Sequence, residues 1–199
     1  MSYREILESE LVNFQIAMPA QQKTVLAAYC DEVTRWNRTI NLTALSGVAL
    51  VRRLVVEPVW IAHQLAMKGG LIDIGSGNGA PAIPFHVTRS FESCCLIEAR
   101  ARRAAFLRHL AATMGLKNVA VYRARFEDIG PTLLSPDWVS LQAVALSRDL
   151  IDSIRKIARS TTTIVWVTSP SAQSRLKPFR TLRVPVTGTE VLLYRLDLS

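Results

Sequence analysis

A glycine-rich segment in the middle of the chain has the residues best suited to bind a ligand. Residues 71–81 read LIDIGSGNGAP, so Asp73 ends an apolar run and glycines follow at alternate positions, Gly75, Gly77 and Gly79. Glycine has no Cβ, and its backbone can therefore adopt positive φ and approach a ligand closely. The pattern predicts a buried strand, a tight turn and a helix, which is where doubly wound α/β proteins bind nucleotides.

The charges around this turn distinguish between nucleotide cofactors. The dinucleotide fingerprint spaces its glycines G-x-G-x-x-G, and Ala80 occupies the third position, where Gly or Ala occurs, so spacing leaves NAD open. Asp73 repels a pyrophosphate but attracts an ammonium group, which favours S-adenosylmethionine because that cofactor has an ammonium and no phosphate. Glu98 follows the next predicted strand, at about the 20-residue offset where an acidic side chain binds ribose hydroxyls. Glu98 therefore indicates a nucleoside, and an ordinary glycine turn is the alternative.

Length and composition fit one α/β domain with an additional element. The chain has 199 residues, of which 49% are hydrophobic, enough for a sizeable core. Cys30, Cys94 and Cys95 have no metal-binding spacing, so we expect no metal site and a cytoplasmic location. No apolar run reaches the ~18 residues that span a bilayer, and we expect no membrane partner.

The chain is strongly basic. Its formal net charge is +8 and its sequence pI is about 9.9. Such a balance suits a polyanionic partner, because basic side chains that neutralise phosphates release counterions. A protein that is basic without any such partner is the alternative, and charge alone does not separate the two.

Hydrophobic periodicity divides the chain into a helical extension, residues 1–66, and a region of alternating strands and helices, residues 67–199, which we expect to form one compact unit. One helix is predicted over residues 20–36, after Pro19. A second is predicted over residues 48–67, with an interruption near Pro58.

The alternating region predicts a doubly wound, mostly parallel sheet with helices on both faces. Its predicted strands lie near residues 71–75, 93–98, 118–122, 138–146 and 161–168, and the clearest helix covers residues 99–114. Residues 181–186 and 190–196 are expected to add an antiparallel pair at one edge.

Several short segments occur in an order that is typical of one family. They are WNRTINLT at residues 36–43, VRR at 51–53, the loop at 73–84, RRAAFLR at 102–108, RFE at 125–127 and SR at 147–148. Together they resemble the RsmG (GidB) family, the small-subunit ribosomal RNA guanine-N7 methyltransferases, over about residues 20–150.

The resemblance implies a class I S-adenosylmethionine methyltransferase fold, Rossmann-like, with an N-terminal helical extension. It implies S-adenosylmethionine as cofactor and 16S ribosomal RNA or the small ribosomal subunit as substrate. The family's cofactor contacts correspond here to Gly75, Ala80, Phe126, Glu127 and Arg148. The full predicted cofactor site adds the residues found from charge and spacing: Asp73, Gly77, Gly79 and Glu98.

The chemistry of the reaction agrees with the side chains near the fourth strand. Guanine N7 has a lone pair and no proton to remove, so methylation there needs alignment more than a general base. The chain lacks the Asn/Asp-Pro-Pro-aromatic run of amino-group methyltransferases, and its cysteines lie elsewhere. We assign no certain catalytic residue. Arg148 is expected to position the substrate or the cofactor, with a surface arginine at a helix start as the alternative.

Basic side chains outside the cofactor site are candidates for RNA contact. Arg38, Arg52 and Arg53 belong to the N-terminal segments of the family pattern, and Arg102 lies on the helix predicted after the second strand. A C-terminal basic run is a weaker candidate: Arg175, Lys177, Arg180 and Arg183. For each group the alternative is a solvated face.

Departures from the family pattern keep two other functions open. Arg53, Val56, Ala80 and Asp149 each replace the family's usual residue, and Thr168 begins a segment in which the usual Lys-Gly is missing. The first alternative is a weakened paralogue that binds RNA or cofactor without methylation. The second is a methyltransferase that acts on a small molecule.

Overall fold

The computed structural model describes residues 1–129, 135–168 and 176–196. Helix α1 (Tyr3–Asn13) begins at a capping box, in which the Ser2 side chain accepts from the Glu5 backbone and the Glu5 side chain accepts from the Ser2 backbone. Helix α2 (Ala20–Asn37) begins directly after Pro19 and confirms the helix predicted at this position.

The second predicted helix is continuous but contains a wide turn. Helix α3 (Gly47–Val51) leads into a π-helical turn (Arg52–Val56), and helix α4 (Glu57–Leu65) follows. Pro58 has no N–H, and in a regular helix its ring would clash with the carbonyl four residues earlier. The wider turn accommodates the proline, so the interruption lies ahead of Pro58 rather than at it.

The alternating region forms the predicted sheet. Its elements are β1 (Gly70–Ile74), α5 (Ala82–Arg89), β2 (Ser93–Ile97), α6 (Ala101–Thr113), β3 (Val119–Tyr122), β4 (Trp138–Gln142), α7 (Arg148–Arg155), β5 (Thr163–Thr168), β6 (Arg180–Arg183) and β7 (Glu190–Tyr194). Within the described ranges the strand order is β3-β2-β1-β4-β5-β7-β6. Strands β1 to β5 pair in parallel, and β7 is antiparallel to both β5 and β6, as predicted for the C-terminal pair.

Adjacent residues of β1 face opposite sides of the sheet and enter different cores. Leu71 belongs to a large buried cluster that also contains Leu7 and Leu26 from the N-terminal helices. Ile72 belongs to a second cluster, which contains Ile154 of α7. The boundary predicted at residue 66 stays a prediction, and the larger cluster has members on both sides of it.

The sheet reverses its strand order between β1 and β4. Strand β1 pairs with β2 on one side and with β4 on the other, so the connections leave in opposite directions. In such sheets a crevice opens outside the carboxyl ends of the strands, and ligands bind in it. Strand β4 ends at Gln142, before the predicted end at residue 146, because Ala143 turns into the left-handed region with φ of 56°.

Candidate cofactor and acceptor site

The glycine loop joins β1 to α5 and has the conformation that its glycines predict. All three alternating glycines have positive φ: 73° at Gly75, 49° at Gly77 and 97° at Gly79. A Cβ on Gly75 would lie 2.6 Å from Cγ2 of Val144, so a side chain fits neither the backbone nor the available space. The loop therefore lies directly against the segment that follows β4.

The segment between α2 and α3 lies beside this loop. The Asn37 side chain folds the segment on itself, since its Oδ1 accepts from the N–H groups of Leu42 and Thr43 at 2.8 and 3.0 Å. Arg103 on α6 donates from Nη2 to the carbonyl of Asn41 at 2.6 Å. These bonds hold the N-terminal segment against the methyltransferase-like half of the chain.

Asp73 is buried beneath the loop, with 1% of its surface exposed. Ser140 donates to its Oδ1 at 2.6 Å, whereas Oδ2 has no hydrogen-bond partner among the described residues. Burial raises the pKa of this carboxyl to about 7, and the bond from Ser140 opposes the rise. The carboxyl lies under the loop rather than on a cavity wall, and its contact with a cofactor stays a prediction.

Glu98 holds the loop from the end of β2. Its Oε2 accepts from the backbone N–H of Gly77 at 3.0 Å, and its Oε1 accepts from the N–H of Arg100 at 2.7 Å. A carboxylate oxygen has a second lone pair. Glu98 can therefore accept hydroxyl groups from a ligand while it continues to fix the loop.

A cavity of about 280 Å³, here called the loop cavity, opens beside the glycine loop. Its walls include four residues of the predicted cofactor site: Gly75, Gly77, Ala80 and Glu98. Further wall residues were not selected from the sequence, and those with side chains of consequence are Leu42, Arg100, Arg103, Gln142 and Val144. The loop cavity thus combines a carboxylate, two guanidinium groups, an amide and apolar surface.

Four other predicted cofactor residues do not line the loop cavity. Gly79 supports the loop from behind, since a Cβ there would lie 2.9 Å from the Ile83 side chain. Phe126 is buried in the core, and Glu127 beside it is exposed, both in a 3-10 turn. Arg148 is exposed at the first residue of α7. Their roles at the cofactor stay predictions.

Gln142 occupies the place at the sheet edge that the sequence analysis gave to Arg148. It is the last residue of β4, and its Oε1 is buried without a hydrogen-bond partner in the described parts of the chain. The available signal was a polar amide directly after the apolar residues of a parallel strand, since such strands point their carboxyl ends at the ligand crevice.

A second cavity of about 380 Å³, here called the Arg53 cavity, adjoins the first. Gln142, Ala143 and Val144 belong to the walls of both cavities. Trp166 forms another part of the wall, and its indole N–H donates to the carbonyl of Val144 at 3.0 Å, which fixes the ring. The two cavities are therefore separated by a single short stretch of chain.

A buried ion pair fixes Arg53 at this cavity. Its Nη1 donates to both carboxylate oxygens of Glu57, at 3.1 and 3.0 Å, and to the hydroxyl of Thr189. Burial raises the pKa of Glu57, and the charge of Arg53 opposes that rise. Arg53, predicted to contact RNA, is thus the one residue of that predicted group, all of it within the described ranges, that lines a cavity.

The other predicted RNA contacts lie in different surroundings. Arg38 is exposed at the end of α2, and Arg102 is exposed on α6. Arg52 forms two hydrogen bonds to Glu10, at 2.5 and 2.9 Å, and so joins the π turn to α1. Of the C-terminal run, Arg175 lies outside the described residues. RNA contact by any of these side chains stays a prediction.

Neither metal nor membrane features occur in the parts of the chain that the structure describes. No group of three or more His, Cys, Asp or Glu side chains is placed to hold a metal ion there. No helix in those parts has the length and apolar character needed to cross a membrane.

The strand order, the glycine loop at the point where that order reverses, and the cavity beside it define a class I S-adenosylmethionine-dependent methyltransferase fold. Two solved structures with this similarity are an S-adenosylmethionine complex of MtNAS and an RNA methyltransferase from Salinibacter ruber in complex with S-adenosyl-L-homocysteine. The first has a TM-score of 0.57 at 16% identity and covers 87% of this chain and 73% of its own. The second has a TM-score of 0.56 at 19% identity and covers 71% and 95%.

The chain belongs to the GidB family, rRNA small subunit methyltransferase G, whose model matches residues 22–182. Ribosomal RNA small subunit methyltransferase G of Chloroflexus aggregans is 33% identical over 142 residues, which is 69% of this chain and 60% of the relative. The protein of the same name from Helicobacter pylori is 30% identical over 68% of this chain and 75% of its own length. The chain thus spans about 60% of the length of the first of these relatives.

Proposed function

We propose that this protein transfers a methyl group from S-adenosylmethionine to N7 of a guanine in 16S ribosomal RNA, as free RNA or in the small ribosomal subunit. The observation that supports this best is the pair of adjoining cavities at the carboxyl edge of the sheet. One lies beside the glycine loop and the other beside Arg53, and they share the wall that begins at Gln142. Methyl transfer requires a cofactor and an acceptor to meet across such a boundary.

The loop cavity fits the groups of S-adenosylmethionine. Glu98 offers carboxylate oxygens for ribose hydroxyls, and Arg100 and Arg103 offer guanidinium groups for the cofactor's carboxylate. The unpartnered Oδ2 of Asp73 below the loop supplies negative charge on the side where an ammonium group would lie. When bound, the cofactor supplies a methyl group on a positively charged sulfur.

The Arg53 cavity suits a planar, electron-rich acceptor. Trp166 contributes an aromatic wall, and Gln142 contributes an amide that can bind the polar edge of a base. Among the described lining residues no carboxylate, imidazole or thiol could remove a proton. This composition suits a ring nitrogen with a free lone pair, because such a nucleophile needs alignment and no base.

The proposal is tested by incubating the protein with labelled S-adenosylmethionine and either 16S RNA or small subunits that lack the modification. We expect label in RNA, recovered as 7-methylguanosine after digestion and mass spectrometry. Titration calorimetry with the cofactor is run in parallel. Cofactor binding without methylated RNA would favour the weakened paralogue, and neither binding nor transfer would contradict the proposed activity altogether.

A further inference from the structure

The segment between Glu98 and Glu127 has a charge composition unlike the rest of the chain. Residues 99–126 contain no acidic residue and seven basic ones: Arg100, Arg102, Arg103, Arg108, Lys117, Arg123 and Arg125. The formal net charge of the whole chain is +8. Outside this segment, acidic and basic residues therefore nearly balance.

This segment folds into one side of the molecule. It forms α6 and β3, and β3 is the outermost strand at its end of the sheet. Arg102 and Arg108 are exposed on α6, and Arg123 and Arg125 are exposed directly after β3. Arg108 donates from Nη2 to the carbonyl of Val121 at 3.3 Å, which brings the helix's guanidinium group onto the strand. The basic side chains thus share one edge.

An exposed aromatic side chain lies within this basic edge. Tyr122, the last residue of β3, has 37% of its surface exposed. Its carbonyl accepts from the N–H of Glu98 at 3.0 Å, and Glu98 lines the loop cavity. The edge is therefore continuous with the rim of the proposed cofactor site.

The four guanidinium groups of this edge have no acidic partners among the described residues. Other arginines do, for example Arg35 with Glu32 and Arg155 with Asp152. Clustered like charges without partners repel one another, so the compact fold retains a local positive potential here. Such a potential attracts the phosphates of a nucleic acid.

We infer that the arginine edge, defined as Arg102, Arg108, Tyr122, Arg123 and Arg125, binds the substrate RNA away from the base that reacts. The guanidinium groups contact phosphates, and the Tyr122 ring stacks on an unpaired base. The inference rests on the proposed function and deepens it, because it assigns an RNA surface on the β3 side of the cofactor site. None of the predicted RNA residues except Arg102 belongs to this surface.

A structural role competes with this inference. Exposed charged side chains on an outermost strand also prevent that strand from pairing with another copy. The two roles differ in what is lost when the charge is removed: salt-dependent RNA binding in the first, and the monomeric state in the second.

The experiment measures RNA affinity as a function of salt for two double variants. Arg123→Gln with Arg125→Gln removes two charges after β3, and Lys68→Gln with Lys156→Gln removes two exposed charges at the opposite, amino edge of the sheet. The slope of log K against log salt should become shallower by about 1.4 for the first pair, since each single-strand phosphate contact contributes about 0.7. It should stay at the wild-type value for the control pair.

Further measurements cover the remaining members of the edge. Arg102→Gln with Arg108→Gln should give a similar change in slope, and Tyr122→Leu should weaken RNA binding about tenfold at an unchanged slope, because stacking is not ionic. Cofactor affinity by calorimetry should be unchanged in all of these variants. Wild-type slopes in both arginine pairs, equal losses in the control pair, or self-association at wild-type RNA affinity would each overturn the inference. A wild-type protein that binds no RNA would instead contradict the proposed function.

Discussion

The backbone N–H of Gly77 donates to Oε2 of Glu98 at 3.0 Å, across 21 residues of sequence. One carboxylate thus fixes the middle of the glycine loop and also forms part of the loop cavity. Loop geometry and ligand binding are therefore coupled through a single side chain, and a change at Glu98 should affect both.

Glu98→Ala should weaken S-adenosylmethionine binding by roughly tenfold to a hundredfold, because it removes charged hydrogen bonds to the loop and to the ligand. Glu98→Gln should lose less, since the amide oxygen can still accept from Gly77. Calorimetry measures both, with Glu92→Gln at the exposed amino edge as a control. Equal affinity in the alanine variant and the wild type would exclude Glu98 from the site.

Gly75→Ala should reduce cofactor affinity more than it reduces stability. Gly75 and Gly115 both have positive φ, so alanine costs about 1 kcal/mol of backbone strain at either position. Only at Gly75 does the new Cβ meet a neighbour, Val144 at 2.6 Å, whereas Gly115 has open space. Adding Val144→Ala should restore part of the lost affinity. Identical affinities in Gly75→Ala and Gly115→Ala would show that the close approach is irrelevant.

The stability of the protein should depend on pH through Asp73. Its folded pKa of about 7 is above the unfolded value of 3.8, so the folded state retains a proton that the unfolded state releases. Stability from this group is present below the unfolded pKa and is lost as pH rises towards 7, by up to about 4 kcal/mol. Urea unfolding from pH 4 to 8 should show this decline in the wild type and not in Asp73→Asn. Parallel profiles would refute the assignment.

Arg52→Met should destabilise the protein by about 2 kcal/mol, because it leaves the buried Glu10 carboxylate without its partner. Adding Glu10→Met should recover most of the loss, since both charges are then absent. Chemical denaturation of the single and double variants measures this coupling. RNA affinity of the double variant is compared at the same time: if it falls strongly, Arg52 also contacts RNA as the sequence suggested.

Gln142→Met should lower kcat/KM for RNA at least tenfold while stability stays equal or rises. The amide oxygen of Gln142 is buried without a partner among the described residues, and such a group costs about 1–3 kcal/mol. Methionine of similar length removes that cost together with the polar contact to the acceptor. Steady-state kinetics and thermal unfolding distinguish the roles, and unchanged kinetics with lower stability would make Gln142 a structural residue only.

Local sequence predicted those parts of the fold that depend on short-range physics. Glycine spacing and the Glu98 offset identified a loop and a carboxylate that the structure brings together, because both follow from strand length and turn geometry. The strands were found from their apolar residues. The end of β4 was not, since it depends on the left-handed turn at Ala143, and alanine gives no signal for that conformation. This error placed Arg148 where Gln142 lies.

Burial was the other property that sequence could not supply. Asp73 was expected to face a ligand, but its surroundings include Ser140 from another strand, 67 residues away. Arg52 was expected to face RNA, and its partner Glu10 comes from α1, 42 residues earlier. Both outcomes depend on long-range packing, which a local pattern does not encode.

The Asn37-folded segment determines how this protein can be divided. Leu42 lines the loop cavity, and Arg103 binds the carbonyl of Asn41 from the far side of it. A truncated protein that starts at residue 67 would retain the glycine loop and Glu98 but would lack one wall of their cavity. The helical extension and the sheet must therefore be exchanged together in a chimaera, and neither half is a self-sufficient module for engineering a new acceptor.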